Sequence, residues 1–473
     1  MDKSDEINTS NSDNTSQKVA PKAIKSGRVD LLNGPVVPTL ITFAMPLAFS
    51  FIVNMLYSWI DTYFVSRLGS AAIAAIGVSE QLGFFIFNFG SGFAIGTGII
   101  VARRIGEGNR KLANYTATQA VISMIVFSTL ISVVLYFCLE WILKAMNLQP
   151  DVAQLAQVYL TALLFGVPGN FITFQINSIV RSSGNAIFPM LILLLTTVLN
   201  AILAPILIFG LGPIPALGMV GAGIATASAQ LIGGTVSISL LISGKTGIRF
   251  MLDKMKLDFP LIGRIAKQGI PASLQMFSVS VSRIALFKFA STFGTSVVAA
   301  YTLGLKVDLF VFMTVFAIGI AVETATGQNL GAGQKDRIFL FHRSAIYILF
   351  VLVGILTLNV FLFGDRFATI FTNDLRIIKE TTHYLHAAVF GYVFFAIGVV
   401  TTRVISGAGA SFRSMTIVGG SLIFLQVPLA YILSHFTGWN QQGIWFGIVG
   451  GYVLFAIISL IELYRKKWLQ VKL

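Results

Sequence analysis

The sequence predicts an all-α integral membrane protein with twelve transmembrane helices in two parallel six-helix repeats, and three observations lead there. Hydrophobic residues make up 55% of the 473 and charged residues only 11%, where a soluble domain carries about 25% charged residues. Twelve apolar stretches each reach the ~20 residues an α-helix needs to cross ~30 Å of hydrocarbon. The chain also resembles itself at one fixed offset of 225 residues.

At that offset Pro46 answers Pro271, Gly69 answers Gly294, and Ile105-Gly106-Glu107-Gly108-Asn109 answers Leu330-Gly331-Ala332-Gly333-Gln334. The shift then pairs Gly184 with Gly409, Met190 with Met415 and Gly218 with Gly443. Six matches without a gap make chance a poor explanation. A repeat at the scale of half a chain points to a two-lobed transporter whose binding site lies between the halves.

The spans of the first repeat fall near 36–66, 70–102, 114–140, 153–180, 186–211 and 217–243; those of the second near 262–292, 296–326, 340–363, 380–404, 414–434 and 442–464. The polar, basic stretch Ser243–Asp258 divides them. Six spans per copy return the chain to the face it started from, so the copies are parallel, related by an axis along the membrane normal. The expected organisation is a disordered cytoplasmic tail over 1–33, an N-lobe over 34–243, a cytoplasmic linker over 244–259, a C-lobe over 260–465 and a short cytoplasmic tail over 466–473. Of the 33 Lys and Arg residues, 25 fall on the side of the N-terminal segment and five on the other. That asymmetry places both ends in the cytoplasm of a bacterial-type inner membrane.

The same asymmetry explains the net charge of +14. Nucleic-acid binding would need a basic soluble domain that the spans leave no room for. The single cysteine, Cys138, excludes an internal disulfide and reads as a core thiol. The Ser/Asn/Asp/Lys-rich start has no apolar run and is not a signal peptide. Its two sequons, at Asn8 and Asn14, are accidental in a cytoplasmic tail.

Charges inside spans carry the functional information, since each costs about 2.5–3.5 kcal/mol or more at the bilayer centre unless it meets a cavity or a partner. Asp61 on the first span and Glu80 on the second lie roughly 12 and 16 Å below the turn near Gly69, at ~1.5 Å per residue, close to one polar layer. Leu286 and Leu305 stand at the matching C-lobe positions, so this carboxylate chemistry belongs to the N-lobe. A carboxylate in a transporter cavity can exchange H⁺, Na⁺ or a cationic substrate, the coupling chemistry an antiporter needs. The plainer alternatives are that Asp61 caps or kinks its helix and that Glu80 pairs locally. Lys288, Lys306 and Asp308 form a second candidate group, with a structural ion pair as the alternative. Glu323, beside the Gly327–Gly333 loop, reads as a solvated helix end, and Arg283 has no evident place.

The glycines at 90, 92, 96 and 98 lack the strand and lysine of a nucleotide loop and read as helix packing. His383 and His386 are too few for a metal site, and no His/Glu cluster or Ser/Lys dyad suggests an enzyme. No cofactor is expected beyond a coupling ion. The partners expected are a small-molecule substrate and the lipid bilayer, for a chain acting as a monomer. Pro46 and Pro271 each remove a backbone hydrogen bond at the same place in their repeats, giving each lobe a matching hinge.

The two repeated glycine loops, Arg181-Ser182-Ser183-Gly184-Asn185 and Trp59-Ile60-Asp61-Thr62 together resemble the multidrug and toxic compound extrusion (MATE) family, over about residues 34–465. The resemblance implies two six-helix lobes around a V-shaped cavity and export of mainly cationic or amphipathic drugs in exchange for H⁺ or Na⁺. It implies that Asp61 is the cation- and proton-binding aspartate, joined by Asn200 and Thr226. Ala204 stands where the family's NorM and DinF branches place a second carboxylate, and Val279 stands near the NorM helix-7 glutamate. Those departures lean toward H⁺ coupling through the N-lobe, with Glu80 as a possible substitute for the missing acid. The alternative is a flippase of the same superfamily, moving lipid-linked or anionic amphiphiles, for which Arg283, Lys288 and Lys306 would suit an anionic headgroup.

Overall fold

The computed structural model describes residues 27–471, apart from the side chain at position 89. The rest of the expected N-terminal tail, with both sequons, lies outside the described residues. Twelve helices are long and apolar enough to cross a membrane. They are α1 Val36–Ser66, α2 Ser70–Gly106, α3 Arg110–Ala145, α4 Pro150–Ser182, α5 Ile187–Phe209, α6 Gly218–Ile242, α7 Phe259–Thr292, α8 Thr295–Gly331, α9 Lys335–Thr369, α10 Leu375–Gly407, α11 Ser411–His435 and α12 Asn440–Arg465. Each overlaps its expected span. One feature invisible in hydropathy is a π-helical stretch, Gly420–Gln426, inside α11.

The repeat is present in the backbone. Two matching pairs have equal lengths, 37 residues for α2 and α8 and 33 for α4 and α10, and the other pairs differ by one to three residues. The turn glycines match as well: φ is 111° at Gly69 and 107° at Gly294, 74° at Gly108 and 75° at Gly333, 89° at Gly184 and 90° at Gly409. These left-handed values are open to glycine and strained for other residues. The Gly218 and Gly443 match does not hold. Gly218 is the first residue of α6, at φ 55°, whereas Gly443 lies inside α12 against the Leu433 backbone; Gly221, against Leu207, occupies the equivalent setting.

The lobes exchange the first parts of their leading helices. Leu40, Phe43 and Ala44 of α1 are buried in one apolar core with Ile318 and Ala321 of α8, while Val65 packs with Ala72 and Leu160 of the N-lobe. In α7, Leu261 and Ile265 pack with Ile100 and Ala120 of the N-lobe, and Leu286 and Ala290 join the C-lobe core. The crossover in α7 falls between Ile265 and Val279, around Pro271, whereas in α1 it comes after Pro46, since Leu47, Ala48 and Phe51 still pack in the C-lobe core. The boundaries at 34 and 260 mark the sequence repeat, and packing moves them into α1 and α7.

The lobes close on each other at the face that carries residues 27 and 471, the terminal face. A β-carbon at Gly106 would fall 1.9 Å from the Gln328 carbonyl oxygen, and one at Gly331 would fall 2.2 Å from that of Arg103. Phe85 and Phe277 stack across the lobes at 6.1 Å. Towards the opposite face, no hydrogen bond or ion pair among the described residues joins the lobes beyond this pair. That geometry is consistent with a V opening away from the terminal face.

Two segments expected as tails are packed instead. The Val29 N–H donates to Gly184 O at 2.9 Å, Leu31 is buried, and the Leu31 carbonyl accepts from Asn329 of α8 at 3.1 Å. Arg337 of α9 donates to the carbonyls of Leu31 and Gly34. Residues 27–34 therefore strap the N-lobe to the C-lobe, because the apolar Leu31 has a seam between lobes to fill. At the other end Trp468 is fully buried and donates its indole N–H to Leu463 O at 2.9 Å. The linker is ordered too, since the Gln119 amide of α3 donates to Lys254 O and Lys256 O and accepts from the Asp258 N–H. Cys138 is exposed on α3, not a core thiol: α3 is an outer helix, and position 138 lies on its apolar outward face between exposed Phe137 and Trp141.

Candidate functional site

Asp61 is buried, 6% exposed, in the half of α1 that belongs to the N-lobe. The Tyr159 hydroxyl of α4 donates to Oδ2 at 3.1 Å, and the Thr226 hydroxyl of α6 donates to Oδ1 at 3.4 Å. Asn200 of α5 donates its amide to the Thr226 oxygen at 3.0 Å, which orients the threonine proton towards the carboxylate. The Asn200 carbonyl oxygen is buried beside them without a hydrogen-bond partner. The Tyr57 hydroxyl, one turn before Asp61 on α1, is also buried without one. Four helices thus converge on one carboxylate, and it has no ion pair among the described residues.

Asp61, Asn200 and Thr226 are brought together as the resemblance implies. Ala204 is fully buried in the apolar core with Val65 and Ala72, so no second acid enters from that position. Glu80 does not join the hydrogen-bonded set around Asp61. Its side chain is exposed and accepts from Ser58 at 2.9 Å, outside the hydrogen-bonded set, because equal depth on neighbouring helices does not bring two side chains onto one face.

The C-lobe has its own buried carboxylate, and its partners differ from those expected. Asp308 of α8, 3% exposed, accepts from the hydroxyls of Tyr384 and Tyr392, both on α10, at 2.5 and 2.6 Å. Neither lysine reaches it. Position 306 is about 200° around the helix from 308, and the Lys306 ammonium lies over the Phe371 ring at 5.9 Å; Lys288 is exposed on α7. Rings of Tyr301 and Trp445 pack behind Tyr384 at 5.5 and 4.9 Å.

Glu323 is not a solvated helix end. It is 9% exposed and pairs with Arg403 of α10 at 3.0 Å, an internal pairing that a buried charge requires. Asp308, Arg403 and Arg283 line one cavity within the C-lobe. His383 and His386 belong to no group of three or more metal-ligating side chains among the described residues. The tyrosines were missed from sequence, yet a signal was present: Tyr159 and Tyr384 stand 225 residues apart, so the repeat itself marks them.

Comparison with known proteins agrees with this architecture. The model of the MatE family matches residues 46–206 and 271–432, one segment per repeat, starting at the two helix prolines. A relative from Bacillus subtilis strain 168, named probable multidrug resistance protein YoeA, is 26% identical over 90% of this chain and 93% of its own. A Thermotoga maritima relative, named probable multidrug resistance protein NorM, is 24% identical over 91% of this chain and 92% of its own. Among solved structures, one described as the outward-facing conformation of a multidrug resistance MATE family transporter of the MOP superfamily superposes with a TM-score of 0.86 at 25% identity, covering 95% of this chain and all of that one. With two-thirds of its length matched by the family model and twelve membrane-spanning helices in two repeats, the chain belongs to the MatE family of multidrug efflux transporters.

Proposed function

We propose that the chain is a secondary antiporter that exports amphipathic, mainly cationic, small molecules in exchange for H⁺, working by alternating access between its lobes with Asp61 as the coupling group. The observation that carries this reading is a carboxylate buried among hydroxyl and amide groups with no basic partner among the described residues. An uncompensated buried charge is costly, and a proton or a cation taken from outside relieves that cost. Occupancy at Asp61 is then coupled to conformation, because Tyr159, Thr226 and Asn200 hold it from three other helices. A proton needs only the carboxylate, whereas a metal cation needs a fuller shell of oxygens than a site with Ala204 in place of a second acid supplies. This favours H⁺ over Na⁺.

The terminal face is the cytoplasmic one in this reading, because Lys and Arg are concentrated on that side, and the membrane is a bacterial inner membrane. Asn200 and Thr226 act as positioning residues for Asp61, and Glu80 stands outside the site. The test is ethidium efflux from energised vesicles carrying wild type or Asp61→Asn, with a pH gradient or a Na⁺ gradient imposed separately. Efflux that follows the pH gradient and disappears in the variant supports the reading. Efflux that follows only Na⁺, or that survives in the variant, overturns it.

A further inference from the structure

We propose that the C-lobe cavity is a binding site for zwitterionic aromatic molecules, with Arg283 taking the ligand's carboxylate and Asp308 its cationic nitrogen. The purpose of such a site rests on the transport reading above, but its chemistry does not. Arg283 and Asp308 carry opposite charges on the wall of one cavity, and no ion pair between them is present among the described residues. Arg283 is exposed on α7 and makes no hydrogen bond or ion pair among the described residues. Asp308 uses two hydrogen bonds, from Tyr384 and Tyr392, and an ionised carboxylate accepts about four. Both charges therefore keep capacity for a third party.

Depth makes that capacity meaningful. At ~1.5 Å per residue, Arg283 lies roughly 15 Å and Asp308 roughly 20 Å below the turn that joins α7 to α8, where a charge left without a partner is costly. The remaining charged side chain on the wall, Arg403, is neutralised by Glu323 at 3.0 Å. The cavity therefore sums to no net charge while holding one separated plus and minus, a pattern more complementary to a zwitterion than to a simple cation or anion. A purely cationic ligand would leave Arg283 facing it, and a purely anionic one would face Asp308.

The rest of the wall is aromatic. Phe312 and Phe395 lie at 4.4 Å between ring centres, and Phe395 and Tyr452 at 5.0 Å, faces on which a planar ring system stacks. Ser282, hydrogen-bonded to Gln426 at 2.9 Å, adds polar atoms at the π-helical stretch of α11.

Two dyes that differ in one group test the proposal. Rhodamine 110 carries a cationic xanthene and a free carboxylate; rhodamine 123 is its methyl ester and is a plain cation. Fluorescence anisotropy with the purified full chain gives a Kd for each. The wild type is expected to bind rhodamine 110 more tightly. Arg283→Gln should weaken rhodamine 110 about tenfold and leave rhodamine 123 within about twofold, which also certifies its fold. Arg283→Lys should restore most of the difference, and Asp308→Asn should weaken both dyes. Equal effects of Arg283→Gln on both dyes, no effect on either, or tighter wild-type binding of the ester would overturn the site. Discrimination in binding without efflux of either dye or of ethidium under any gradient would count against the antiport reading and leave the site standing.

Discussion

Asp61 in the N-lobe and Asp308 in the C-lobe are both buried carboxylates held by tyrosine, yet they sit on different helices of their repeats, the first in one lobe and the second in the other. The tyrosines Tyr159 and Tyr384 are repeat partners; the acids are not, since Leu286 and Gly83 occupy the corresponding positions. The repeat has preserved the frame and the hydroxyl donor while each lobe took its acid from a different helix. Their surroundings differ accordingly. Asp61 is ringed by Tyr159, Thr226 and Asn200, a setting fit for a proton. Asp308 borders an aromatic cavity with Arg283 on its wall, a setting fit for an organic ligand. We read this as a division of labour, ion in one lobe and organic molecule in the other.

The comparison breaks most easily at its acids. Asp61→Asn should reduce gradient-driven ethidium efflux by more than about 100-fold, to the level of empty vesicles, because a coupling group cannot be replaced by one that binds no proton. The initial efflux rate measures this. Passive leakage of ethidium unaffected by Asp61→Asn would make the protein a channel.

Where the repeat is kept, paired substitutions should behave alike. Gly106→Ala and Gly331→Ala each drive a β-carbon into a carbonyl of the other lobe. Each should cost about 1–3 kcal/mol by overpacking, read as matching losses in thermal stability. Unequal losses would show that the terminal-face closure is not symmetric.

Where the lobes diverge, paired substitutions should separate. Tyr159→Phe removes a donor to Asp61, and Tyr384→Phe one to Asp308. A hydrogen bond to a charged group contributes about 1.5–3 kcal/mol, an effect of about 10- to 150-fold. For Tyr159→Phe it should appear in the external pH at which efflux is half-maximal, and for Tyr384→Phe in dye affinity. A shift of both readouts by either variant would merge the two sites into one. The smallest effect belongs to Glu80→Gln, expected within about twofold of wild type for efflux, since Glu80 bonds to Ser58 and not to the Asp61 set.

The fold was legible because its signals are long. A hydropathy run survives errors of several residues at each end, and a repeat of 225 residues confirms itself at many points. What a one-dimensional pattern lacks is the rotation of a side chain about its helix. Glu80 and Asp61 share a depth but not a face, and Lys306 lies two residues from Asp308 yet turns to Phe371. The partners of Asp61 on α5 and α6 came only through the family resemblance, and Tyr159 did not come at all, because its partner is 98 residues away. Glu323 looked like a helix end because its partner, Arg403, lies two helices on. The strap at 27–34 hid for a different reason: a single apolar Leu31 among polar residues carries no periodic signal.

The division of labour is tested most directly by counting protons. Saturating rhodamine 110 added to the purified protein in weak buffer should release a proton from the ion site, followed with a pH-sensitive dye, for wild type, Asp61→Asn and Asp308→Asn. The account predicts release in the wild type, none in Asp61→Asn, and release retained in Asp308→Asn once its weaker affinity is offset by more dye. Release that persists in Asp61→Asn and vanishes in Asp308→Asn would place the coupling group in the other lobe and contradict the account.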